Sequence, residues 1–242
     1  MMNVFIDHVI HLAIVLPVIF STITNRRSET LKILVVFSLY FLIHSMLLYL
    51  PIEFAQLSFI KGNWNWSGKI FAILGSILFL LLYRKFELKD YFLTFKQNDA
   101  FLKNGLFLVL LIFVIKGLFN YFYLSPAAWN IETILFQATM PGLDEEIAFR
   151  GIMLGLLTKI LKPAKVSIFH PAIFVTALLF GMAHGLFLTD SYEITFNFFS
   201  FFITTLLGVA WAWITLKSGS ILLALISHNL GNITSEIISI SK

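Results

Sequence analysis

Eight mainly apolar stretches of roughly twenty residues run through this chain: 3 to 24, 31 to 50, 67 to 83, 101 to 124, 143 to 161, 170 to 188, 194 to 216 and 219 to 239. At about 1.5 Å of rise per residue, a helix of that length matches the hydrocarbon thickness of a bilayer. Lipid offers no hydrogen bonds, so each such run must satisfy its own backbone and becomes a helix. The ten-residue alternation of transmembrane strands is absent. The expected fold is therefore all-α: a polytopic membrane protein, a bundle of about eight transmembrane helices forming a single membrane domain over residues 1–242. Composition agrees, because 59% of residues are hydrophobic and only 12% charged, half the charge of a typical soluble domain. That leaves no room for a sizeable soluble domain.

The breaks between the apolar runs carry the topology signal. Arg26, Arg27 and Lys32 lie in or beside the first loop, and Arg84, Lys85, Lys89, Lys96 and Lys103 in or beside the third. Lys159, Lys162 and Lys165 mark the fifth and Lys217 the seventh, so twelve of the 17 Lys and Arg fall in odd loops. The even loops and the C-terminus hold only Lys61, Lys69 and Lys242. Cytoplasmic loops concentrate Lys and Arg, which predicts eight crossings with both termini non-cytoplasmic, in the plasma membrane of a bacterial cell. The net charge of +4 is thereby assigned to topology. No basic run interleaved with aromatics suggests nucleic acid as a partner. The absence of Cys excludes disulfides, thiolate metal sites and a cysteine nucleophile. No basic residue precedes the first apolar run and no small-residue cleavage site follows it, so that segment is expected to stay as a helix. Pro126 and Pro141-Gly142 bracket a stretch, 125 to 142, expected to form a short or interfacial helix, with the fifth span starting after the break.

Placing a charge at mid-bilayer costs about 2.5 to 3.5 kcal/mol, so ionisable groups inside apolar runs are functional candidates. Asp144, Glu145, Glu146 and Arg150 open the fifth span. Asp144 reads as an N-cap residue stabilised by the helix dipole. Glu146 and Arg150, four residues apart, share a helix face as an ion pair, while Glu145 lies about 100° around the helix and is left unpaired. The sixth span ends with Phe180-Gly181-Met182-Ala183-His184 and the eighth carries His228-Asn229-Leu230-Gly231-Asn232. Each alone reads as packing or interhelical hydrogen bonding. Together, a glutamate, two histidines and an asparagine form a kit for activating water against an amide. His8, His11, His44 and His170 have no partner at recognisable spacing and read as interfacial or packing residues. Trp64, Trp66, Trp129, Trp211 and Trp213 read as interface anchors. Lys116 either snorkels or pairs with Glu132 or another acid.

These three motifs, EExxxR, FxxxH and HxxxN in that order, resemble the CPBP family of intramembrane endopeptidases, which includes CAAX proteases, bacteriocin-processing enzymes and type II CAAX prenyl endopeptidases. The resemblance covers residues 130 to 240, a catalytic half supported by transmembrane helices in 1 to 125. It implies a peptide hydrolase with its site inside the membrane. Glu145 would be the general base, His184 and His228 would hold the water or stabilise charge, Asn232 would donate to the oxyanion, and Glu146 and Arg150 would support them. No cofactor is favoured. Zinc, with Glu145, His184 and His228 as ligands, is the alternative, but HExxH spacing is missing and Glu145 is needed as the base. The implied partners are the lipid bilayer and a peptide or protein substrate, lipid-modified or membrane-anchored. The rivals are a catalytically inactive immunity or partner-binding protein of the same fold, and a small transporter, which should show a broken helix and inverted repeats that this chain lacks.

Overall fold

The computed structural model describes residues 1–162 and 168–242; Lys165, counted above among the fifth-loop charges, lies outside them. The elements in chain order are α1 (Met2–Thr22), α2 (Ser28–Glu53), α3 (Trp66–Leu82), α4 (Asp99–Tyr123), α5 (Ile131–Glu145), a π-helical segment (Glu146–Met153), α6 (Leu154–Ile160), α7 (Pro171–Gly185), β1 (Leu186–Leu188), β2 (Ile194–Phe196), α8 (Phe198–Ser218) and α9 (Leu222–Ile240). Short 3₁₀ turns at Ala55–Leu57 and Leu88–Tyr91 punctuate two of the loops. Four helices, α1, α2, α4 and α8, are long and apolar enough to cross a membrane, whereas α3 and α7 are apolar but shorter, at 17 and 15 residues.

Two boundaries depart from the sequence reading. The first is at Pro141-Gly142, where no break occurs. The helix runs on from Ile131 through the π-helical segment to Ile160, with Pro141 inside it. Proline removes a backbone donor and crowds the preceding turn, so a continuous helix needs outside help. Asn229 of α9 provides it: its side-chain oxygen accepts from the Gly142 N–H at 2.9 Å, and its amide nitrogen donates to the Thr139 carbonyl at 3.3 Å. Gly142 permits this approach, since a side chain there would collide with the Asn229 amide. The second departure is a small antiparallel hairpin. β1 and β2 pair Leu186 with Phe196 and Leu188 with Ile194, so the sixth apolar run ends, and the seventh begins, as a strand rather than as helix.

The middle of the molecule is built on the π-helical segment and α6, where every residue from Ala148 to Leu157 is buried. A helix covered all round must be apolar all round. Ile152, Met153, Leu154, Leu156 and Leu157 meet that demand, packed with Val15 and Ile19 of α1, Phe37 and Phe41 of α2 and Leu179 of α7 in one core. Arg150 sits in the same run. α7 packs along α8, α9 lies between α4 and α5, and α2 pairs with α3. At the opposite end of α1 from Met1, Thr24 donates to the Ile160 carbonyl and Lys162 to that of Thr22, tying the start of the chain to the end of α6. The loop before α4 is tied to α6 by an ion pair between Asp90 and Lys159, and this hydrogen bond holds the Asp90 carboxyl below its ordinary range.

Candidate active site

The three consecutive acids of α5 and the π-helical segment point in different directions. Asp144 is not at an N-cap: it is fully buried in mid-helix. Its Oδ1 accepts from His44 Nε2 of α2 at 2.9 Å and its Oδ2 from Lys69 Nζ of α3 at 2.8 Å. Glu145 is also paired, contrary to the sequence reading, because the same Lys69 ammonium donates to its Oε1 at 2.8 Å. Lys69, assigned above to a loop, is a buried residue in the first turns of α3. Glu146 Oε1 accepts from His228 Nδ1 at 2.8 Å and lies 3.3 Å from the Arg150 guanidinium. An isolated charge in this interior would be prohibitive, and the pairing of three acids with Lys69 and Arg150 offsets most of that cost.

His184 and His228 close on Glu145 from α7 and α9. His184 Nε2 is 3.9 Å and His228 Nε2 3.8 Å from Glu145 Oε2. In each ring the other nitrogen is committed: Nδ1 of His184 donates to the Phe180 carbonyl at 2.8 Å, and Nδ1 of His228 donates to Glu146. A carbonyl and a carboxylate accept only, so in its neutral form each imidazole turns a bare Nε2 lone pair toward Glu145. Glu145 Oε2 itself has no hydrogen-bond partner among the described residues. Three acceptors thus converge at distances too long for direct bonds, the arrangement a hydrogen-donating molecule between them would satisfy. Asn232 lies one turn beyond His228, and its Oδ1 accepts from Lys116 Nζ at 2.8 Å. Lys116 therefore neither snorkels nor pairs with Glu132, whose carboxylate instead accepts from the Asn63 and Trp64 backbone and the Trp66 indole. Since Lys is donor-only, the Asn232 amide nitrogen faces away from it and is free to donate.

Arg150 is held by aromatic rings more than by hydrogen bonds. Its guanidinium lies 4.1 Å from the Phe180 ring centroid, 5.2 Å from Trp211 and 5.8 Å from Phe149. Neither terminal nitrogen has a hydrogen bond of ordinary geometry among the described residues. Trp211 was read as an interface anchor, but it is buried, stacked on the His228 ring at 4.3 Å, with its indole N–H donating to Ser227. Trp64 likewise stacks on Phe136 and bonds Thr133. Among the other histidines, His170 caps α7 by accepting from the Ala172 N–H. His8 and His11 lie beside Asp7 on α1. His44, read as unpartnered, binds Asp144.

Glu145, His184, His228, Asn232, Lys116 and Trp211 line one cavity of about 460 Å³, large enough for several side chains of an extended peptide. Glu145 Oε2 with the two Nε2 atoms at 3.8 and 3.9 Å is the set a metal would share; the described residues that bring three ligating atoms within 4.8 Å of one another are Asp7, His8 and His11. Chemically the cavity offers a carboxylate base, two lone-pair acceptors and an amide donor around an apolar space. Compared with known proteins, residues 127–234 match the family model described as type II CAAX prenyl endopeptidase Rce1-like. No curated protein and no solved structure matches the chain. The matched stretch, which runs to the middle of α9 and contributes Glu145, His184, His228 and Asn232, is thus similar to the Rce1-like type II CAAX prenyl endopeptidases.

Proposed function

We propose that this protein is an intramembrane endopeptidase that hydrolyses a peptide bond of a membrane-anchored or lipid-modified substrate with a water activated by Glu145. The observation that carries this reading is the convergence of two bare Nε2 atoms on the unpartnered Oε2 of Glu145 inside the cavity. A water seated there donates one hydrogen to Glu145 and is steered by the imidazoles. Its oxygen attacks the peptide carbonyl carbon as the proton passes to Glu145, and the carbonyl electrons move to oxygen. The Asn232 amide, oriented by Lys116, donates to that oxyanion. Collapse breaks the C–N bond, and the proton held on Glu145 goes to the leaving amine. Lys69 fixes Glu145 through its other oxygen, so that Oε2 stays aimed at the histidines. In this reading Glu145 serves as the base, so a water rather than a zinc ion occupies the space between it and the two imidazoles.

The proposed topology follows the loop charges: eight crossings, with both termini non-cytoplasmic. The test of the chemistry compares the membrane peptidome of cells carrying the native chain with that of cells carrying Glu145→Gln, alongside cleavage by the purified proteins. Removal of the general base is expected to slow cleavage by about 100- to 10,000-fold. Identical peptidomes and equal rates would overturn the proposal in favour of a partner-binding role. Activity abolished by chelation and restored by stoichiometric zinc would overturn its metal-free form.

A further inference from the structure

Glu145, His184 and Lys69 border a second cavity on another side, about 100 Å³ in volume, enclosed by α1, α2, α3 and α7. Its wall includes His8, His44, Ser45 and Tyr49, all ahead of the residues matched by the family model. Such a wall is costly in an apolar bundle unless its polar atoms are hydrogen-bonded. Nδ1 of His8 donates to the Val4 carbonyl and Nε2 of His44 to Asp144. The remaining ring nitrogen of each, and the Tyr49 hydroxyl, make no hydrogen bond to the protein among the described residues. A buried water needs about 10–15 Å³ and two to four polar partners; this cavity exceeds both requirements.

We infer that the second cavity is a water-binding site that feeds Glu145 from the side away from the peptide. This rests on the peptidase reading of Glu145. Each hydrolysis consumes one water, whose oxygen ends in the new carboxylate while its hydrogens end on the two products. A peptide filling the larger cavity displaces water from it, so a separate store bordering the same carboxylate sustains turnover. The store takes His8, His44, Ser45, Tyr49 and Lys69 of its wall from α1 to α3, which gives the N-terminal helices a chemical task.

The test uses the full chain in lipid nanodiscs and X-ray hydroxyl-radical footprinting, in which radicals formed from bound water oxidise adjacent side chains. Tyr49 and His8 are expected to be labelled in the native protein. Ser45→Leu, which fills the cavity, should cut that labelling several-fold and lower kcat with KM unchanged. Leu48→Phe narrows the same space and serves if the leucine variant does not fold. Unlabelled Tyr49 in the native protein, or labelling and kcat unmoved by both filling variants, overturns the inference. Labelling that follows the expectation in a protein whose cleavage survives Glu145→Gln sinks the peptidase reading and the feeding role, while the hydrated cavity stands.

Discussion

Lys69 holds two buried carboxylates with one ammonium, and no spacing rule could have found it. It lies 75 and 76 residues from its partners, and pairings at helical spacing are visible in sequence only within one helix. Glu146 with Arg150 was legible for that reason. Lys69→Met leaves Asp144 and Glu145 facing each other without that ammonium inside the bundle. Breaking a buried pair in this way should cost about 3–5 kcal/mol, read as a lowered thermal midpoint in detergent, with cleavage lost as well. Arg150 makes a second prediction. Its setting among Phe149, Phe180 and Trp211 suits a planar guanidinium, so Arg150→Lys retains the charge yet loses the stacking. The expected loss is about 0.5–2 kcal/mol in the same melting experiment. Trp211 was misread because a lone Trp in an apolar run looks the same whether it faces headgroups or a histidine.

At the level of elements, the apolar runs located the helices well and their ends poorly. Length and hydropathy report where a segment is comfortable in lipid, whereas the end of a helix depends on a capping partner elsewhere. Proline at 141 was a reasonable stop signal, overridden by a long-range donor and acceptor on Asn229. Asn229→Ala removes both, leaving the Gly142 N–H and the Thr139 carbonyl short of partners at a cost of about 1–3 kcal/mol. Hydrogen exchange at Gly142 should rise selectively, and unchanged exchange would mean that the helix holds itself through the proline. The hairpin after α7 was missed because its three-residue strands are too short to show alternation. On the opposite side of the bundle, the Asp90–Lys159 tie has a defined pH sense. Asp90 is more acidic when folded, so the tie contributes its stability above the ordinary aspartate range near 3.8 and loses it as pH falls through the lower folded value.

For the whole molecule, the loop charges make a prediction that the site chemistry does not. If the odd loops face the cytoplasm, Thr189 in the hairpin lies outside and Lys162 inside. The native chain has no cysteine, so Thr189→Cys and Lys162→Cys each carry a single label site. An impermeant maleimide added to intact cells should react with the first and spare the second. The reverse pattern would invert the molecule. All four residues proposed for catalysis were legible as a set, since each is a polar group inside an apolar run and three separate helices supply them. The side chains that set their directions, Lys69, His44, Lys116 and Trp211, were not.

The matched stretch begins at residue 127, while the cation that balances Asp144 and Glu145 stands at position 69 and the imidazole behind Asp144 at 44. The two halves are consequently not interchangeable parts. A chimera that grafts residues 127–242 onto foreign helices inherits every motif of the site and Arg150, but not the lysine that balances Asp144 and Glu145. Any successful exchange of the N-terminal helices must bring a lysine to the same spot, a constraint on engineering and on divergence alike.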